Sequence, residues 1–165
     1  MEIERKFLID DFPNLPEIDR AKVEQGYLST CPVVRIRKKE TPQGASYRLC
    51  FKGTGTLCRE EIELDLEEDV YERLCRLLCM PPIRKDYRVY ALPEGLRLEC
   101  SLVDEGEEGA FFYAEVEFES VEQAHTFVPP AFLGRELTEV PGSSMSNFWE
   151  RKKRRLGIEG PSERS

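Results

Sequence analysis

The chain has 165 residues, a formal net charge of -8 and 40% hydrophobic residues. That length suits one domain with one sizeable core, and the apolar share is too high for a disordered chain. The acid excess argues against a general nucleic-acid binder or a protein drawn to anionic membranes, and no apolar run approaches the ~18 residues that span a bilayer.

The N-terminal run Met1-Glu-Ile-Glu-Arg-Lys6 lacks the apolar stretch of a signal peptide. Residues 2–9 alternate instead. Glu2, Glu4, Lys6 and Leu8 share one face, and Ile3, Arg5, Phe7 and Ile9 the other, which predicts a strand. Pro13 and Pro16 break it and introduce a short helical stretch. A second strand is predicted over 22–28. A third spans 33–39, with Arg35 and Arg37 opposite Val34 and Ile36. The run Thr41-Pro-Gln-Gly44 turns the chain. The fourth strand, 46–52, has Tyr47, Leu49 and Phe51 on its apolar face and ends in Lys52. The fifth, 59–64, sets Arg59, Glu61 and Glu63 against Ile62 and Leu64.

A helix follows over 67–79, with Val70, Tyr71, Leu74, Leu77 and Leu78 as its apolar stripe. Acids in its first turn suit the helix dipole, and Pro81-Pro82 ends it. Strands six, seven and eight are predicted over 83–90, 96–103 and 112–118. In the last of these Glu115 and Glu117 oppose Ala114, Val116 and Phe118. A short helix over 121–127 carries the single histidine, His125, away from the charged strands and is read as surface or structural. A final helix over 146–156 is anchored by Phe148 and Trp149, and the basic run 151–155 reads as its solvated end. The predicted domain is 1–156, with 157–165 a flexible tail.

None of the six cysteines forms a C-x-x-C, and His125 is not near a cysteine pair, so a zinc site is not expected. Without a signal peptide, reduced thiols and a cytoplasmic location are expected. Cys75 and Cys79 fall on one helix face and read as core packing.

The charged faces are segregated by sign. The third strand carries two bases; the fifth and eighth each carry two acids. Solvated faces usually mix signs along a strand. If the strands close into a barrel, these faces can point inward, where charges must be paired or bind ions.

The spacing Glu2-x-Glu4-x-Lys6 at the N-terminus resembles the E-x-E-x-K signature of the CYTH domains, the triphosphate tunnel metalloenzymes. The resemblance continues in order through Arg35-x-Arg37, Lys52, Glu61-x-Glu63, Lys85, Glu99 and Glu115-x-Glu117, over residues 2–149. It implies an α+β, mainly antiparallel β fold: an eight-stranded closed tunnel-like barrel with helices packed outside. It also implies hydrolysis of a small triphosphate, inorganic triphosphate first, since no base-recognising feature is visible. Two alternatives are a class IV-type adenylate cyclase and a binding module that holds polyphosphate or an organophosphate without turnover. On this resemblance Lys6, Arg35, Arg37, Lys52 and Lys85 grip phosphate. Glu2, Glu4, Glu99, Glu115 and Glu117 hold Mg²⁺ or Mn²⁺. Glu61 and Glu63 orient or deprotonate water or assist a second metal.

The charges agree with this reading. The five bases and seven acids leave an excess of acid that would repel a polyanion. Divalent cations would reverse the sign, and carboxylate oxygens suit such hard ions. Arg48, Arg59 and Arg97 share the charged faces and are expected at the rim. The chain also departs from the family pattern. Tyr87 stands where many members have an arginine two residues after the lysine. Polarity alone would turn Arg84, Asp86 and Arg88 inward, against the register that puts Lys85 there. Ser101 stands where many members have a second acid after Glu99. Val33 replaces the tryptophan that contacts thiamine in animal thiamine triphosphatases.

Overall fold

The computed structural model describes residues 1–158. Nine strands pair antiparallel throughout: β1 (Glu2–Leu8), β2 (Glu17–Thr30), β3 (Val33–Thr41), β4 (Gly44–Lys52), β5 (Cys58–Arg59), β6 (Glu61–Asp65), β7 (Ile83–Ala91), β8 (Arg97–Val103) and β9 (Phe111–Glu117). Their order is β5-β1-β9-β8-β7-β2-β3-β4-β6. The two ends of that order, β5 and β6, are consecutive in the chain. The expected fifth strand is one stave broken at Glu60, and it closes the ring between β1 and β4. The Glu60 carbonyl accepts from Gly53 N–H at 2.9 Å, which pulls it out of the ladder. Gly55, at φ 133°, lets the turn fold back, because a Cβ there would lie 2.2 Å from the Cys58 carbonyl oxygen.

Other boundaries depart from the pattern in the sequence. No helix forms after Pro16. Residues 17–22 extend β2 because they pair with β7, and their mixed charges find partners on neighbouring strands: Lys22 with Asp86 at 3.6 Å and Asp19 with Lys39 at 3.6 Å. The first helix, α1 (Glu68–Cys75), stops short of Cys79. Its last turns tighten into Leu77 N–H to Leu74 O and Leu78 N–H to Cys75 O, as expected for a chain about to meet two prolines. Cys79 is therefore exposed rather than packed, and Cys75 is only half-buried.

Buried apolar side chains gather in two main clusters. Phe7, Leu98, Ala114 and Val116 face outward from β1, β8 and β9, where α2 (Val121–Thr126) and residues 127–137 cover them. Arg5 locks that cover: its guanidinium donates to Glu136 at 2.7 and 2.9 Å and to the carbonyls of Ala124 and Phe127. His125 is exposed on α2.

The second cluster plugs the barrel. Tyr27, Ile83, Val103 and Tyr113 point inward at one end, and Phe148 and Trp149 of α3 (Met145–Arg155) close over them. This helix caps the tunnel end, whereas α1 and α2 pack outside. Its basic run is not wholly solvated. Lys152 is buried and donates to Asp104 at 2.7 Å and Glu107 at 2.9 Å, and Asp104 in turn accepts from Arg84 N–H. Removing one partner of such a buried pair leaves an uncompensated charge, at a cost of about 3–5 kcal/mol. Lys152→Met is expected to lose about that much stability in urea unfolding; a change under about 1 kcal/mol would contradict this account. The helix closes with Gly157 at φ 70° and Ile158 packed on the plug. The rest of the tail expected over 157–165 lies outside the described residues. Among the described residues no helix is long and apolar enough to cross a membrane.

Candidate active site in the tunnel

Alternation puts one face of every strand into the lumen, so the ladder registers fix which side chains meet there. The cavity is about 930 Å³. All the residues expected to carry the chemistry line it, except Lys6. Lys6 lies deeper, against a recess of about 280 Å³ that Arg35, Lys52 and Lys85 also line. Lys85 faces inward, as the resemblance requires. Arg84, Asp86 and Arg88 face outward, where Arg84 meets Glu107, Asp86 meets Lys22, and Arg88 covers the Phe12 ring.

The lumen has two unlike walls. One is formed by β1, β9 and β8. Glu4 pairs across the ladder with Glu117, and Glu115 lies between Lys6 and Glu99. Burial raises the carboxyls of Glu2, Glu4, Glu99 and Glu117 above the ordinary value; Glu115 pushes Glu4 further, and the surrounding acids push Glu117 further. Burial opposes ionisation of Glu115 too, yet its hydrogen bond with Glu4 and the nearby Lys6 and Lys85 bring it to about 2. Five crowded carboxylates supply only oxygen donors. That donor set fits a hard divalent cation, which would relieve their repulsion.

The other wall is cationic. Arg35, Arg37 and Lys52 project from β3 and β4, and β6 sets Glu61 and Glu63 beside them, with Asp65 exposed at its end. Glu63 accepts from Arg48 at 2.7 Å and lies 3.6 Å from Arg37 and 3.8 Å from Arg35. Glu61 lies 3.2 Å from Lys52 Nζ. Although burial opposes it, Arg37 and Arg48 hold Glu63 below the ordinary carboxylate value, and the hydrogen bond with Glu2 and the charge of Lys52 do the same for Glu61. Cys50, Glu61 and Glu63 bring ligand atoms within 4.8 Å of one another. The bases around that trio disfavour a cation there, whereas the β1–β9–β8 wall lacks such a surplus.

Four lumen features escape the sequence pattern. Arg59 is not at the rim: its Nε donates to Glu2 at 3.2 Å, and it lies 3.9 Å from Glu4. Period two puts Arg59 on the face of Glu61 and Glu63, but the break at Glu60 hides its partners. Gln25 is buried beside Arg37 with its Oε1 unpartnered. Tyr87, in the place of the family arginine, donates to Glu99. Tyr113, two residues before Glu115 on the same face, accepts from Lys85.

Burial pulls the Lys85 ammonium down to about 7. A bound polyanion would oppose that fall and raise the value again. Binding of a non-hydrolysable triphosphate analogue to the Mn²⁺-loaded protein at pH 8 is expected to take up about one proton, and Lys85→Met to abolish that uptake. Calorimetry in buffers of different ionisation enthalpy measures it; equal uptake by both proteins would contradict the assignment.

The chain is 35% identical over 138 residues to the inorganic triphosphatase of Nitrosomonas europaea, covering 84% of this chain and 89% of that protein. Among solved structures, the inorganic triphosphatase NE1496 superposes at TM-score 0.63 with 26% identity, over 98% of this chain and 97% of that one. The PH1819 protein of Pyrococcus horikoshii shares the fold at TM-score 0.65 and 20% identity, over 93% of this chain and 99% of that one. No family model matches the chain. With the ordered charged residues converging in one closed barrel, these likenesses establish that the chain belongs to the CYTH, or triphosphate tunnel metalloenzyme, family.

Proposed function

We propose that the protein hydrolyses inorganic triphosphate inside its tunnel with Mg²⁺ or Mn²⁺, as one domain over 1–156 working in the cytoplasm. The observation that carries this reading is the opposition of a carboxylate wall and a guanidinium–ammonium wall across one lumen. The six cysteines, all unbridged, support the location.

Lys6, Arg35, Arg37, Lys52 and Lys85 bind the phosphate oxygens; arginine forks contact two oxygens at once and lysines supply point charge. Glu2, Glu4, Glu99, Glu115 and Glu117 hold the metal. A bound divalent ion supplies charge neutralisation of the polyphosphate and a more acidic water. Glu61, poised between Lys52 and Glu2, orients the attacking water and takes its proton. Glu63 keeps Arg35, Arg37 and Arg48 aimed at the phosphates.

Product analysis tests the reading. With inorganic triphosphate the expected products are pyrophosphate and orthophosphate, formed at a higher kcat/KM than with ATP or thiamine triphosphate. Formation of cyclic AMP as the main product would make the protein a cyclase, and tight binding without turnover would make it a binding module.

A further inference from the structure

Lys6 and Lys85 present a physical difficulty. Both are half-buried, both line the recess at the inner end of the lumen, and like charges repel more strongly where water is scarce. They share one neighbour. The Tyr113 ring centroid lies 4.4 Å from Lys6 Nζ and 5.0 Å from Lys85 Nζ. Its hydroxyl accepts from Lys85, while Lys6 Nζ donates to the Ser143 carbonyl at 2.7 Å. The ring is only 1% exposed and stacks on Phe111 at 5.6 Å, so it cannot swing away. It also borders both the main cavity and the recess behind it.

We propose that Tyr113 is a positioning residue that holds Lys6 and Lys85 side by side and so builds the inner phosphate-binding end of the tunnel. The negative face of the ring attracts the Lys6 ammonium, 4.4 Å from its centroid, while Lys85 sits at the hydroxyl edge of the same ring. The hydroxyl then fixes which way Lys85 points, and the Ser143 carbonyl does the same for Lys6. Phosphate oxygens arriving from the main cavity meet two donors already in place. The inference rests on the triphosphate reading of this site for its substrate, but not for its geometry.

The test is a double-mutant cycle with two readouts. By calorimetry with Mn²⁺ and a non-hydrolysable triphosphate analogue, Tyr113→Phe is expected to weaken binding about tenfold by losing one charged hydrogen bond. Tyr113→Leu, which also loses the ring, should weaken it about a hundredfold. In a Lys85→Met background Tyr113→Phe should add less than about twofold, because its effect passes through Lys85. An equal effect in both backgrounds would reduce Tyr113 to scaffold and overturn the proposal. The second readout needs no substrate. In the free protein, the Nζ resonance of Lys85 should shift in Tyr113→Phe with an unchanged melting temperature, and that of Lys6 in Tyr113→Leu; unmoved resonances overturn the proposal whatever the substrate. A parent protein that neither binds nor hydrolyses triphosphate would overturn the preceding functional reading, while the resonances still decide this one.

Discussion

Removal of divalent metal is expected to lower triphosphate turnover by about a thousandfold. A Lewis-acid ion contributes several kcal/mol of charge stabilisation, and ~1.4 kcal/mol is a decade in rate. The crowded wall of Glu2, Glu4, Glu99, Glu115 and Glu117 makes the same point without kinetics. These carboxyls are buried together, and four of them are raised above their ordinary value. A carboxyl with a raised folded value stabilises the fold fully below its unfolded value, and that contribution is lost as pH rises through the folded one. The metal-free protein should therefore lose stability through this cluster as pH rises above about 4.5. Glu4→Gln should remove part of that loss, raising the unfolding midpoint in chelator at pH 8 while weakening Mn²⁺ binding by calorimetry. Full turnover in chelator would sink the metal assignment. A Glu4→Gln protein that is less stable without metal would show that Glu4 is a structural partner instead.

How far the sequence reaches depends on which interactions decide each feature. The lumen was legible because strand alternation is local: once Glu2, Glu4, Arg35, Arg37, Glu115 and Glu117 sit at period two, any closed sheet brings them together. The inward turn of Lys85 needed more. Its neighbours Arg84 and Asp86 are equally polar, and only their outside partners, Glu107 and Lys22, explain why they leave the lumen. The start of β2 read as helical because 17–22 mixes charges without alternation, and long-range pairing with β7 overrides that local pattern. Lys152 looked like part of a solvated basic run because its buried partner, Asp104, lies 48 residues away. The broken stave at Glu60 and the contacts of Arg59 and Tyr113 are likewise products of closure, which no window of sequence contains.

On the proposed roles, Glu61 serves the chemistry and Glu63 the binding, and variants on β6 and β3 should divide accordingly. Arg37→Ala removes a charged donor from the phosphate wall. Charged hydrogen bonds contribute about 1.5–3 kcal/mol, so triphosphate binding should weaken about ten- to a hundredfold. Glu63 lies within 3.8 Å of both Arg35 and Arg37, and Arg48 donates to it. Glu63→Gln loosens those guanidinium groups and should follow Arg37→Ala, with the loss falling on KM. Glu61 has Lys52 on one side and Glu2 on the other. Glu61→Gln keeps the shape but cannot take a proton, so kcat should fall by about 10²–10⁴ while binding stays within about tenfold, the mark of an interaction used mainly in the transition state. All three side chains face the lumen rather than the apolar clusters, so circular dichroism and melting temperature should stay near the parent's. Calorimetric binding and single-turnover rates on the three variants divide the roles. If Glu61→Gln turns over triphosphate at the parent rate, the proton leaves by another group; if Glu63→Gln instead shows the selective loss of kcat, the two assignments exchange.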